Sequence, residues 1–241
     1  MNKINLIELY TCLQGEGKFM GVPHILVRFG GCNFRCDFGA YGLCDTPQSS
    51  YSFNVKEAIF DYQDVFNMVK ENIGIKHILI TGGEPTLSKG FSDFVRQLRS
   101  DFPFHVLSVE TNGSILIPTD TASYLDCITI SPKFEYAFKK DAEERMAAYR
   151  DSLYKNVKTS GDKLIFKLVV VKNTDFDKQL TLLEDLEVSN HLVYLMPAGT
   201  TDELMHENRQ IAWETALKYC FNYSDRLHIV VYKDKPKIKL I

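Results

Sequence analysis

The sequence predicts an α/β protein built as a partial, open barrel of six parallel strands, each followed by a helix. Three observations carry this. Short apolar runs rich in Val and Ile alternate about six times with segments of helical periodicity, the pattern of a parallel sheet. Six such units cannot complete an eight-fold barrel, and 241 residues suit the shorter, open form. Polar, glycine-bearing motifs recur where the runs end, on the C-terminal rim that barrel active sites occupy.

The first strand is read in His24-Ile25-Leu26-Val27-Arg28-Phe29. Residues 53–73 carry Val55, Ala58, Ile59, Val65, Phe66 and Val69 at helical spacing, strongest after Asp61 and ending near Gly74. The second strand is His77-Ile78-Leu79-Ile80, followed by a helix through Phe91, Phe94, Val95 and Leu98. Phe104–Val109 and Cys127–Ile130 are the third and fourth strands. Residues 135–158 read as a polar amphipathic helical insertion. The fifth strand is Leu164–Val171, with a helix over 175–187; the sixth is Leu192–Gly199. A helix over 207–222 is expected to bury Trp213, Leu217 and Cys220, and Arg226–Tyr232 reads as a last strand. The whole chain, 1–241, is expected to form one domain.

A hydrophobic content of 45% supports a sizeable core, and a net charge of −3 gives no electrostatic case for nucleic acid or an anionic membrane. Six cysteines without framework spacing point to a reducing, cytoplasmic setting. The segment Met1 to Leu6 is too short and polar for a signal peptide, and no apolar run approaches membrane length. Cys127 and Cys220 read as small buried hydrophobes, and Cys12 as core or wall.

The densest motif runs from Gly31 to Thr46 and holds three cysteines, Cys32, Cys36 and Cys44, in one glycine-punctuated loop. Three readings are open from the loop alone. The thiolates could hold an iron–sulfur cluster, with one iron left for a substrate or cofactor. They could bind structural zinc, although such sites are four-coordinate and no fourth Cys or His is near. They could be free thiols.

Other motifs gather at strand ends. Leu13-Gln14-Gly15-Glu16-Gly17 reads as a turn or as a loop that lets backbone approach a ligand. Arg28 is a surface cation or a bidentate carboxylate grip. Thr46 either caps the next segment or presents its hydroxyl. Thr81-Gly82-Gly83-Glu84-Pro85 follows the second strand, Ser108 to Gly113 the third, and Ser131-Pro132-Lys133 the fourth. Each is an ordinary turn when taken singly.

Together these motifs resemble the radical S-adenosylmethionine (SAM) enzymes, and most closely the 7-carboxy-7-deazaguanine synthase family. The usual Cys-x3-Cys-x2-Cys spacing is kept from Cys32 to Cys36 and then lengthened to seven residues before Cys44. The resemblance implies a partial barrel of radical SAM type carrying a 4Fe–4S cluster on Cys32, Cys36 and Cys44, with Cys12 in reserve. It implies Mg²⁺ on Thr46 and SAM held by Leu43, Asp45, Gly83, Glu84, Ser108, Glu110, Thr111, Ser131, Pro132 and Lys133. It implies a pterin substrate contacted by Leu13, Gln14, Gly15, Glu16, Arg28, Thr81 and His228. A 5′-deoxyadenosyl radical would take hydrogen from C6 of 6-carboxy-5,6,7,8-tetrahydropterin. Ring contraction and loss of ammonia would give 7-carboxy-7-deazaguanine for queuosine or modified-DNA synthesis. Flavodoxin or ferredoxin as electron donor and a homodimer follow from the same resemblance, with no role for nucleic acid or membrane.

Two rivals differ in class. A glycyl-radical activase shares the cysteine loop and Gly-Gly-Glu-Pro but has no reason to carry Leu-Gln-Gly-Glu-Gly. A non-enzymatic metal-binding regulatory relative accommodates the lengthened spacing.

Overall fold

Strand residues alternate in side-chain direction, and here the alternation divides one sheet into an apolar face and a polar face. The sheet has eight strands in the order β1 to β8: Leu6–Leu13, Pro23–Phe29, His77–Gly82, Val106–Thr111, Cys127–Ile130, Leu164–Val170, Val193–Pro197 and Asn222–Tyr223. It belongs to a computed structural model that describes residues 4–37, 44, 46–51, 59–134, 137, 142–172 and 176–232. β1 runs antiparallel to β2, and every later pair is parallel. The six predicted parallel strands are thus β2 to β7. The sequence reading missed β1, and β8 is a two-residue addition.

Eight helices are described, of which α2 to α7 pack on the apolar face: α1 Pro47–Ser50, α2 Tyr62–Glu71, α3 Phe91–Asp101, α4 Thr119–Tyr124, α5 Ala142–Ser160, α6 Phe176–Asp185, α7 Asp202–Tyr219 and α8 Leu227–Tyr232. Asp61 opens α2 with a capping box shared with Asp64. Ile25, Val27, Phe29, Ile78, Ile80, Leu107 and Val109 pack there against Val65 and Val69 of α2 and Phe94, Val95 and Leu98 of α3. The Phe29 and Phe94 rings meet edge to face at 5.5 Å.

The other face is set by register. Arg28 pairs with Thr81, Leu79 with Ser108, Glu110 with Thr129, Thr129 with Ile165, and Lys167 with Tyr194. In a parallel sheet such partners share a face, so one row of polar and charged side chains crosses β2 to β7.

The sheet is curled. Seven strand spacings would separate the edges of a flat sheet by more than about 30 Å. Yet residues just after β1 bond to residues just after β8: Gly17 N–H donates to Ser224 Oγ at 2.6 Å and Leu227 N–H to Gly15 O at 2.9 Å. The β1–β2 loop therefore bridges the open side of the partial barrel. Its Phe19 ring sits 4.9 Å from His77 and 5.9 Å from His24, which are the register pair at the N-terminal end of β2 and β3. Burial lowers both imidazoles from their ordinary range, so they are neutral at pH 7.

Three expectations are corrected. Residues Leu227–Tyr232 form helix α8 rather than a strand, because Leu227 N–H is taken by Gly15 O and Ile229 and Val230 N–H by Arg226 O. Trp213 and Leu217 are exposed, at 61% and 77%. The inward side of α7 is Met205, Asn208, Ala212 and Ala216, whose phase turns Trp213 and Leu217 outward. Cys220 is exposed as well; it ends α7 in a left-handed conformation at φ 56°. No described helix is long and apolar enough to cross a membrane. Leu98→Ala should cost about 2–5 kcal/mol, a fall in Tm of roughly 5–15 °C. Leu217→Ala should cost less than about 0.5 kcal/mol. Thermal denaturation of the two variants checks the phase of the core; an equal effect would reject it.

Candidate active site

The cysteine loop leaves β2 and is fixed at both ends by backbone. Gly31 and Cys32 donate to Ser49 and Ser50 carbonyls of α1 at 2.6 and 3.1 Å. Cys44 N–H donates to Cys36 O at 3.1 Å, which closes the seven-residue excursion at its base. Cys44 Sγ lies 3.1 Å from Ser50 Oγ and 3.7 Å from Thr46 Oγ1. Thr46 is the N-cap residue of α1, but its side chain makes no capping bond. Leu43 and Asp45 lie outside the described residues.

The Gly-Gly-Glu-Pro turn after β3 presses on this loop. Glu84 N–H donates to Gly31 O at 2.7 Å. A Cβ on Gly83 would stand 2.2 Å from Gly31 O and 3.0 Å from Cys32 Cβ, so only glycine permits the approach. The Glu84 carboxylate is buried and spent on the protein. One oxygen accepts from Thr86 Oγ1 at 2.6 Å and Thr111 Oγ1 at 2.7 Å; the other accepts from Asn112 N–H at 2.6 Å. Burial raises its pKa, with the Thr86, Asn112 and Thr111 bonds working against that rise. Glu84 therefore ties the end of β3 to the end of β4 under the rim.

Asn112 extends this tie to the cysteines. Its amide donates to Asn33 Oδ1 at 3.0 Å and lies 3.9 Å from Cys32 Sγ. Tyr149 of α5 donates to Asn112 O at 2.6 Å, accepts from Lys133 N–H at 2.8 Å, and stacks edge to face on Phe34. Lys133 Nζ donates to Ser131 Oγ at 3.0 Å. The Ser131-Pro132-Lys133 segment is thus joined to the cysteine loop through the helix that the sequence marks only as a polar insertion. Ser108 is buried with its hydroxyl on Ile78 O.

A second network crosses the polar face. Lys167 Nζ donates to Glu16 and to Glu110, both at 2.8 Å. Glu110 also accepts from Thr81 Oγ1 at 2.9 Å, and Glu16 from Arg226 Nε at 2.9 Å. Burial opposes the charge on Glu16, but Lys167, Arg226 and His228 prevail and hold it well below the usual carboxylate range. Burial likewise works against the Lys167 ammonium, and Glu110 and Glu16 raise its pKa above the ordinary value. Arg28 Nε donates to Glu8 at 2.7 Å across the β1–β2 pair. His228 is packed against Gly15, where a Cβ would stand 2.2 Å from its Nδ1.

The structure brings together Glu16, Thr81, Glu110 and, through Gly15, His228. It sets Glu84 and Thr111 in a separate rim network with the cysteines. Gln14 uses its side-chain oxygen on Gly15 N–H, and Leu13 is exposed. The Leu13–Gly17 segment departs from the one-rim expectation: Leu13 pairs with Pro23, the first residue of β2, so the loop enters from the opposite end. Sequence reading missed Glu8, Asn112, Tyr149, Lys167 and Arg226. Lys167 had a signal, a single cation inside the apolar run Leu164–Val171.

Among the described residues no three His, Cys, Asp or Glu side chains converge as a metal cage. The cysteine loop fits an iron–sulfur cluster by donor chemistry and adjacency: three thiols outside any disulfide, two joined through backbone and Cys32 within electrostatic reach of Cys36. Burial pushes the Cys32 thiol up to about 11, so a thiolate there needs a cation against it, which the iron of a bound cluster would supply.

The radical SAM superfamily profile matches residues 26–207. A 7-carboxy-7-deazaguanine synthase of Rhodopirellula baltica is 30% identical over 92% of this chain and 84% of its own. One of Halobacterium salinarum is 32% identical over 95% and 91%. The crystal structure of QueE from Escherichia coli superposes with a TM-score of 0.65 at 20% identity, covering 93% of this chain and 94% of that one, a likeness of fold.

Because the carboxyl of Glu16 is lowered in the folded state, its stabilisation is present above the unfolded carboxylate pKa of about 4.3 and is lost as pH falls below it. The stability difference between wild type and Glu16→Gln, read as urea midpoints, should therefore hold from pH 7 to about pH 5 and shrink as pH falls from there through about 4.3 toward about 3. A difference that stays constant over that range would contradict the ion pairing.

Proposed function

The chain belongs to the radical SAM superfamily and, within it, to the 7-carboxy-7-deazaguanine synthase family, and from that premise we propose how its residues serve the reaction. It is an enzyme of radical SAM type, a lyase converting 6-carboxy-5,6,7,8-tetrahydropterin to 7-carboxy-7-deazaguanine and ammonia. The observation that carries this reading is the meeting of two networks: the cysteine rim around Glu84 and the charged row around Lys167.

Cys32, Cys36 and Cys44 would hold the 4Fe–4S cluster, leaving one iron for SAM. When bound, cluster and SAM together supply a 5′-deoxyadenosyl radical. Gly83, Ser108, Thr111 and the Ser131-Pro132-Lys133 segment would line SAM. Glu84, committed to Thr86, Thr111 and Asn112, would act by holding this rim in shape. Leu43 and Asp45 keep the SAM role given by family resemblance.

The substrate would lie on the polar row. Glu110, expected from the family resemblance beside SAM, is assigned instead with Glu16 because Lys167 joins the two. Both are acceptors suited to the N–H groups of a pterin edge, and Gln14, its oxygen engaged by Gly15 N–H, would offer its amide N–H groups. Leu13, Gly15 and His228 would wall this edge, with Thr81 beneath. Arg28 would grip the substrate carboxylate, its guanidinium oriented by Glu8. Thr46 would give Mg²⁺ one hard oxygen, and water most of the rest. We further propose a homodimer in the cytoplasm, reduced by a flavodoxin or ferredoxin.

Anaerobically reconstituted protein with dithionite, SAM and the tetrahydropterin should form 5′-deoxyadenosine and the deazaguanine absorbance; formation of neither refutes the reading. Cys44→Ala should lose its iron by elemental analysis, and retention of a full cluster would reject Cys44 as a ligand. Arg28→Ala should raise KM for the pterin by roughly 10–100-fold while leaving uncoupled SAM cleavage; an unchanged KM would remove Arg28 from the carboxylate site.

A further inference from the structure

Resting on the function proposed above, we infer that Lys167 is a positioning residue: its ammonium fixes Glu16 and Glu110 as a charge-compensated pair of hydrogen-bond acceptors for the N–H edge of the substrate.

The geometry is that of a buried bridge. Lys167 is 5% exposed, and two carboxylates from distant parts of the chain lie within 2.8 Å of its one nitrogen. Glu110 comes from the middle of the sheet. Glu16 comes from the loop that closes the barrel, and its second oxygen is taken by Arg226, whose Nη1 donates in turn to Gly199 O at 2.5 Å. Two anions and two cations leave no net charge. An ionised carboxylate only accepts hydrogen bonds, whereas a protonated one spends one oxygen as a donor. The ammonium therefore decides what the pair offers a ligand, without touching the reacting atoms itself.

Removing the ammonium breaks this. In Lys167→Met, Glu16 keeps the Arg226 guanidinium and Glu110 keeps only the Thr81 hydroxyl, and a proton enters the pair to relieve the buried excess charge. One acceptor then becomes a donor facing substrate donors. The other titratable groups facing the pair are Arg226 and His228 from the C-terminal segment, Cys12 from β1, His24 from β2 and Cys127 from β5. Burial pushes Cys12 up to about 11, raises Cys127 and lowers His24, so each moves away from the range between roughly pH 6.5 and 8.5. His228 is controlled for by repeating the series in a His228→Gln background.

The test is equilibrium binding of pterin-6-carboxylate, followed by its fluorescence, to reconstituted, SAM-loaded and unreduced enzyme across that pH range. Relative to wild type, Lys167→Met should bind about tenfold more weakly at the acid end, with the deficit narrowing as pH rises and the shared proton leaves. Lys167→Arg, which keeps the cation, should recover affinity to within about threefold of wild type. Should Lys167→Met not fold, Glu110→Gln decides. It deletes one acceptor while leaving Lys167 on Glu16, so binding should fall about tenfold by the same amount at every pH.

Lys167→Met at wild-type affinity, or a deficit that neither varies with pH nor recovers in Lys167→Arg, overturns the inference and leaves the proposed function standing. So does Glu110→Gln at wild-type affinity. Failure of the wild type to bind the pterin overturns the proposed function and the inference with it.

Discussion

The Lys167 ammonium, buried between Glu16 and Glu110, is the constraint from which the rest of the arrangement follows. An ammonium removed from water costs several kcal/mol unless close anions replace the solvent. One of those anions, Glu110, is two strands away in the same sheet. The other has to be delivered by the loop after β1, which must cross the open side of the barrel to bring it. Once there, Glu16 is held from behind by Arg226, and the backbone on either side of it is clasped, Gly17 N–H by Ser224 Oγ and Gly15 O by Leu227 N–H. A single cation in the middle of a strand thus obliges both ends of the sheet to meet.

A second node lies one residue away. Glu110 points along the polar row to Lys167, while Thr111, next on β4, gives its hydroxyl to Glu84. Successive strand residues face opposite sides, so β4 feeds the inner network and the rim network from adjacent positions. Thr81 and Glu84 do the same for β3, three residues apart. The rim network and the polar row are therefore mechanically joined at two strands. Displacement of either network is felt by the other through backbone rather than through a chain of mobile side chains.

This joinery explains what was legible in the sequence. The cysteine loop and Gly-Gly-Glu-Pro are contiguous, and their chemistry is written in neighbouring residues. The six parallel strands were readable because burial on both faces makes them apolar runs. β1 was hidden: Leu6–Leu13 is an edge strand with Glu8, Tyr10 and Cys12 on its polar side, and it lacks that signature. α8 misled in the opposite sense. Its Ile229-Val230-Val231 run has strand propensity, which the capture of Leu227 N–H by Gly15 and the first helical bonds to Arg226 override. α7 misled because its buried phase is carried by Ala212 and Ala216, less conspicuous than the exposed Trp213 and Leu217. Lys167 and Arg226 were missed for a different reason: their partners lie 57 to 210 positions away, so no local window contains the interaction.

The lengthened spacing between Cys36 and Cys44 is accommodated by the same principle. What a three-thiolate site requires is that the sulfurs be close, and sequence spacing matters only through the closure it imposes. Here the N–H of Cys44 returns to the carbonyl of Cys36, so the backbone excursion closes at one point, while among the described residues the three sulfurs themselves do not converge as a cage. Closure entropy grows only as the logarithm of loop length, and a doubling costs about 0.6 kcal/mol. Five further residues are therefore a small load beside the backbone bonds from Gly31 and Cys32 to α1 and from Glu84 to Gly31, which fix where the loop stands. The position of the third cysteine is set by the base of the excursion, whatever its length.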